Sequence, residues 1–95
     1  MTRLFSPVEI GQCHLKHRLV MAPLTRLRAD DAHVQLPFVK EYYAQRASVP
    51  GILLISEATF ISPRGLGYPN VPGIYNDAQI QAWKEITDAV HVKGS

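Results

Sequence analysis

The chain has 95 residues, 46% hydrophobic and 19% charged, with a formal charge of +2, a balance that belongs to an ordinary folded domain and excludes a disordered or membrane-embedded polypeptide. Lys and Arg are scattered among Asp and Glu, which gives no footing for nucleic-acid binding, and no stretch approaches the ~18 apolar residues of a membrane span. Residues 1–7 lack the apolar stretch of a secretory signal, and the single Cys13 has neither a disulfide partner nor a zinc spacing, so the expectation is a soluble protein of a reducing cytoplasm with no membrane contact. A chain this short can build one small core at most.

In chain order, residues 1–17 alternate apolar and polar around Gly11, which predicts a small hairpin with arms at Val8-Glu9-Ile10 and Cys13-His14-Leu15. Leu19-Val20-Met21-Ala22 is a short apolar run closed by Pro23, the pattern of a strand buried on both faces. Between Leu36 and Ala47 the residues Phe38, Val39, Tyr42, Tyr43 and Ala47 fall at helical spacing on one stripe, and Pro37 suits the first turn. Pro50-Gly51 breaks the chain, after which Ile52-Leu53-Leu54-Ile55 repeats the buried-strand pattern.

From Ser62 to Tyr75 the density of Pro and Gly predicts a long loop without regular structure, of the kind that often carries function. Asn76 with Gln79 three residues later reads as a capping box. Ile80, Trp83, Ile86, Thr87 and Val90 then mark one face of a helix that Gly94 would stop. Strand, helix, strand, loop, helix is the repeating unit of an α/β protein with a parallel sheet. Two parallel strands need cover on both faces and partners at their outer edges, and the chain supplies only part of that, so it reads as an unfinished repeat.

Through His17-Arg18-Leu19-Val20-Met21-Ala22-Pro23-Leu24-Thr25-Arg26 the sequence resembles the first barrel strand of old yellow enzymes and 12-oxophytodienoate reductases. The likeness continues in Tyr42-Tyr43-Ala44-Gln45-Arg46-Ala47, Ile55-Ser56-Glu57-Ala58-Thr59 and Gly67-Tyr68-Pro69-Asn70-Val71-Pro72-Gly73-Ile74-Tyr75, and runs through Trp83-Lys84 to Ala89-Val90-His91-Val92-Lys93-Gly94. It implies residues 1–95 as the incomplete amino-terminal part of a single FMN-binding (β/α)8 barrel domain: a hairpin and the first two β/α repeats, with FMN across the carboxyl ends of the strands. By the same resemblance Pro23, Leu24 and Thr25 would line the flavin, with the Thr25 hydroxyl bonded to a ring carbonyl, and Ala58 would approach the ring through its backbone amide. Tyr68 would border the substrate entrance. The family's carbonyl-gripping pair, tyrosine proton donor and phosphate-holding arginines match nothing in this stretch.

Read from spacing alone, each of these residues also has a plainer role. Thr25 could end a strand and bond a local backbone group, and Tyr68 could pack its loop onto the rim. Arg26 and Arg28 read as partners of Asp30 or Asp31 rather than anion binders, and Glu57 as one half of a structural salt bridge, since no second titratable group completes a mechanism. His14 and His17 point to opposite sides of an extended chain, against a metal site, and His33 and His91 are expected to be exposed or locally bonded. Gly65-Leu66-Gly67 lacks the lysine and helix start of a phosphate cradle.

The intact protein implied by the resemblance takes hydride from NADPH onto FMN and reduces an activated alkene; the piece is expected to be inactive alone. The alternative is a short barrel-derived interaction module, or one half of a split barrel that needs a complementing carboxyl-terminal fragment.

Overall fold

The computed structural model describes residues 3–65 and 67–95. The hairpin forms as expected: β1 (Val8–Ile10) pairs antiparallel with β2 (Cys13–Leu15), and Gly11 takes the left-handed backbone, φ 59°, that its turn requires. The two apolar runs become β3 (Val20–Met21) and β4 (Leu53–Leu54), paired parallel with Val20 opposite Leu53 and Met21 opposite Leu54. Both strands are shorter than the runs that announced them. They are also not buried on both faces: Leu19, Val20 and Ile55 are each more than 40% exposed. The expectation of full burial fails because the helices cover one face of the pair and no described segment covers the other.

Helix α1 (Pro37–Arg46) starts where Pro37 fixes φ in the first turn and holds the preceding Leu36 extended. Its buried line is narrower than the apolar stripe in the sequence: Val39, Tyr43 and Ala47 are buried, whereas Phe38 is 54% exposed. Helix α2 (Asp77–His91) opens on the complete capping box, with the Asn76 side chain accepting from the Gln79 N–H and the Gln79 side chain accepting from the Asn76 N–H. Trp83 and Ile86 turn inward; Ile80 and Thr87, expected on the same face, stay exposed. The chain leaves α2 through a turn with Gly94 at φ 87°.

The two helices pack on each other and on the sheet. Val39, Tyr43, Trp83 and Ile86 form the core, with Met21, Tyr42, Leu54 and Val90 against it. The hairpin closes the amino-terminal end of the strands, where Lys16 N–H donates to Gly51 O and Gly51 N–H to Gly94 O. At the carboxyl-terminal end two loops are laced together. Ala29 and Asn70 exchange bonds in both directions, Gly73 N–H donates to His33 O, and His33 Nδ1 donates to Val71 O at 2.6 Å. His33 is therefore fastened to a distant segment as well as to its own turn, where its N–H donates to Asp30 O at 3.0 Å. The long loop is less irregular than expected, since Pro63–Gly65 is a 3-10 turn and Phe60 bridges to Gly73. Of Gly65-Leu66-Gly67, Leu66 lies outside the described residues, as do Met1 and Thr2.

Candidate functional site

The parallel register fixes which residues can share a site. Thr25 lies four residues beyond Met21 and Ala58 four beyond its partner Leu54, so both follow the carboxyl-terminal end of the pair at matching register. Pro23, Leu24, Thr25 and Ala58 are all exposed there. Neither the Thr25 hydroxyl nor the Ala58 N–H has a hydrogen-bond partner among the described residues, so the plain reading of Thr25 as bonded to local backbone does not hold. Two residues beyond Thr25, Leu27 holds φ 57°, a left-handed conformation that a bulky side chain adopts only when its surroundings impose it.

Glu57, beside Ala58, is 4% exposed and forms no ion pair among the described residues. That overturns the expected salt bridge. Its Oε2 accepts from the Tyr43 hydroxyl at 2.9 Å and from Gln35 Nε2 at 3.1 Å, while the Glu57 N–H donates back to the Tyr43 hydroxyl at 3.2 Å. Glu57 O accepts from the Thr59 hydroxyl at 3.0 Å. Burial, reinforced by the adjacent Glu57 carboxylate, pushes the Tyr43 hydroxyl well above the ordinary phenol range. Oε1 of Glu57 and Oε1 of Gln35 are buried without a partner among the described residues. Sequence reasoning passes over Gln35 and Tyr43 as site residues, because one sits in a loop and the other reads as core.

Among the described residues the expected arginine–aspartate pairs do not form. Arg26 donates to the Tyr42 hydroxyl, Arg46 stacks 4.1 Å from the centre of the Tyr42 ring, and Asp30 accepts from the Ala32 and Val34 N–H groups of its own turn. His14 is exposed and pairs with Glu9, whereas His17 is buried and its Nδ1 accepts from Leu19 N–H. Among the described residues no group of three or more His, Cys, Asp or Glu is placed to hold a metal ion, and no helix is long and apolar enough to cross a membrane. Tyr68 is 70% exposed on its loop. A cavity of about 770 Å³ forms an open, mainly apolar groove along β4 and α2, lined by Leu54, Ile61, Ile74, Trp83, Ile86 and Val90 among others.

The chain is 67% identical over all 95 residues to the chanoclavine-I aldehyde reductase fgaOx3 of Penicillium roqueforti and 58% identical over 94 residues to the probable inactive reductase easA of Epichloe festucae var. lolii. It spans about a quarter of the length of these relatives, 26% and 25% respectively. The old yellow enzyme of Pichia sp. AKU4542 superposes on 99% of the chain with a TM-score of 0.95 and 48% identity, and the chain covers 24% of that structure. The fold is thus an α/β portion of the old yellow enzyme fold. The family described as NADH:flavin oxidoreductase / NADH oxidase matches residues 3–95, and with those residues forming the parallel pair, both helices and the exposed strand ends, the chain belongs to that family.

Proposed function

We propose that residues 1–95 are the amino-terminal part of a single FMN-binding barrel domain, contributing its hairpin and first two β/α repeats to an ene-reductase that uses NADPH to reduce activated C=C bonds of small carbonyl compounds. The observation that carries this reading is the pair of free donors, the Thr25 hydroxyl and the Ala58 N–H, following the same end of two parallel strands beside the exposed Pro23 and Leu24. Two donors next to apolar surface fit one edge of a flat ring that carries carbonyl and nitrogen acceptors, as the flavin does, and barrel enzymes keep their chemistry at this edge. Bound FMN supplies the hydride relay between NADPH and the alkene. This chain's residues bind and orient: Pro23 and Leu24 give the ring an apolar support, Thr25 and Ala58 fix its edge, and Tyr68 borders the substrate entrance. Two relatives are named as chanoclavine-I aldehyde reductases, which agrees with a carbonyl-bearing substrate for the intact protein.

The ring contacts do not include an anchor for the phosphate or a grip on the substrate carbonyl. The chain alone is therefore inactive in this reading and works with the remaining repeats, on the same chain or on a complementing fragment. The open groove favours that requirement. Because Ile55 N–H faces β3, strand alternation turns the backbone groups of Ile52 and Leu54 to the other edge, which the groove exposes. The test is to add FMN to the purified chain and measure flavin fluorescence and NADPH-dependent reduction of 2-cyclohexenone. The same assays are then run on a full-length chimera in which residues 1–95 replace the stretch they match in the Penicillium reductase. The expected result is weak binding without turnover for the chain, and a yellow, active chimera that loses flavin affinity on Thr25→Ala. Turnover by the isolated chain, or a folded chimera that takes up no FMN, refutes the reading.

A further inference from the structure

We propose that Tyr43, Glu57 and Thr59 are positioning residues that lock the peptide plane between Glu57 and Ala58, so that the Ala58 N–H stands ready as a donor to the flavin edge; this rests on the reading above. Both sides of Glu57 are held. Its N–H and its carboxyl group close on one hydroxyl, that of Tyr43, at 3.2 and 2.9 Å, and its carbonyl takes the Thr59 hydroxyl at 3.0 Å. A hydroxyl has one hydrogen, so the Tyr43 proton goes to Oε2 and its lone pair to the Glu57 N–H, which sets the orientation of both groups. A trans peptide is planar, with its N–H opposite its C=O. With Glu57 O tied to Thr59, the Ala58 N–H has its direction fixed, and it meets no protein acceptor among the described residues.

The clamp is anchored in the core. The Tyr43 ring is 3% exposed and packs against Tyr42 and Trp83, with ring centres 5.2 and 5.9 Å away. Core packing alone gives no reason for a carboxyl group here. Buried polar atoms are costly unless bonded, yet Oε1 of Glu57 and Oε1 of Gln35 are buried without partners among the described residues, and an apolar side chain would fill the space without that penalty. Breaches of local rules of this kind gather at functional positions, and this one adjoins the residue whose amide is free.

The experiment uses the full-length chimera, labelled with ¹⁵N-alanine, its Ala58 amide identified by Ala58→Gly. Flavin affinity is measured by fluorescence titration. In the parent, FMN loading should move the Ala58 amide proton downfield. Tyr43→Phe and Thr59→Val should each weaken FMN binding about tenfold, the scale of one hydrogen bond, and shrink that movement, while Gln81→Ala, on the exposed side of α2, is the control. A general loss of packing would lower the melting temperature without abolishing the Ala58 response in the FMN-loaded protein. Thr59→Val leaves the core intact and is the deciding variant if Tyr43→Phe does not fold. Parent-like affinity and parent-like amide shifts in Tyr43→Phe and Thr59→Val overturn the proposal. So does an Ala58 amide that ignores FMN in a parent that binds it, and in that case FMN binding by the barrel stands while Ala58 is removed from the ring contacts. A folded parent that takes up no FMN overturns both.

Discussion

Replacing Gln79 by Ala tests how the loops are fastened to the helices. Gln79 is fully buried, and its Oε1 accepts from the N–H groups of Tyr75 at 2.9 Å and Asn76 at 3.2 Å while its Nε2 donates to Ala32 O at 3.1 Å. Truncation removes all three bonds. Asn76 and Ala32 are exposed, so water replaces their lost partner, but the Tyr75 N–H is half-buried and costs about 1–3 kcal/mol when orphaned. Loss of the reciprocal cap adds about 1 kcal/mol. The sum is about 3 kcal/mol, or roughly 15 °C in Tm for a domain of this size. Gln79→Glu keeps the acceptor for Tyr75 and Asn76 but sets a buried carboxylate oxygen against Ala32 O in place of the Nε2 donor, so it should destabilise as well. Urea unfolding followed through the single Trp83 reads both, with the exposed Gln81→Ala as control. If Gln79→Ala stays within about 0.5 kcal/mol of the parent, the range of ordinary surface changes, Gln79 is not the fastening.

Gly73→Ala should destabilise as strongly by the opposite route: an added Cβ would stand 2.8 Å from Gln79 Nε2 and from the Tyr75 ring, and the same urea assay should show the loss, relieved in part by Gln79→Ala. The Tyr43 hydroxyl is raised in the fold by burial, above the unfolded phenol value near 10. Its contribution to stability is therefore fully present below about pH 10 and is lost as pH rises through and beyond that value. Ultraviolet titration should show one tyrosine resisting ionisation until the chain unfolds, and Tyr43→Phe should remove that step. Gly51→Ala should also cost stability, since φ 83° and the Lys16 side chain 2.5 Å from an added Cβ both oppose it; an unchanged melting curve would show that the turn tolerates a side chain.

Elements set by local chemistry could be read along the chain. Pro37 and the Asn76–Gln79 box announce their helices because a fixed φ and a reciprocal cap act within one turn. Gly11 marks the hairpin because its turn needs a left-handed residue. The two apolar runs gave the strands, and their order gave the parallel pairing that sets Thr25 and Ala58 at one register. Composition and spacing could not say how these pieces meet in space. Phe38 and Ile80 fit their helical stripes yet stay exposed, because the orientation of α1 against α2 decides which side of each stripe faces the core. Glu57 looks, in sequence, like half of an ion pair. Only the fold brings the Tyr43 hydroxyl, 14 residues away in sequence, and Gln35, 22 residues away, onto its carboxyl group, because contacts between distant segments depend on where helix and strand cross, which no local preference encodes.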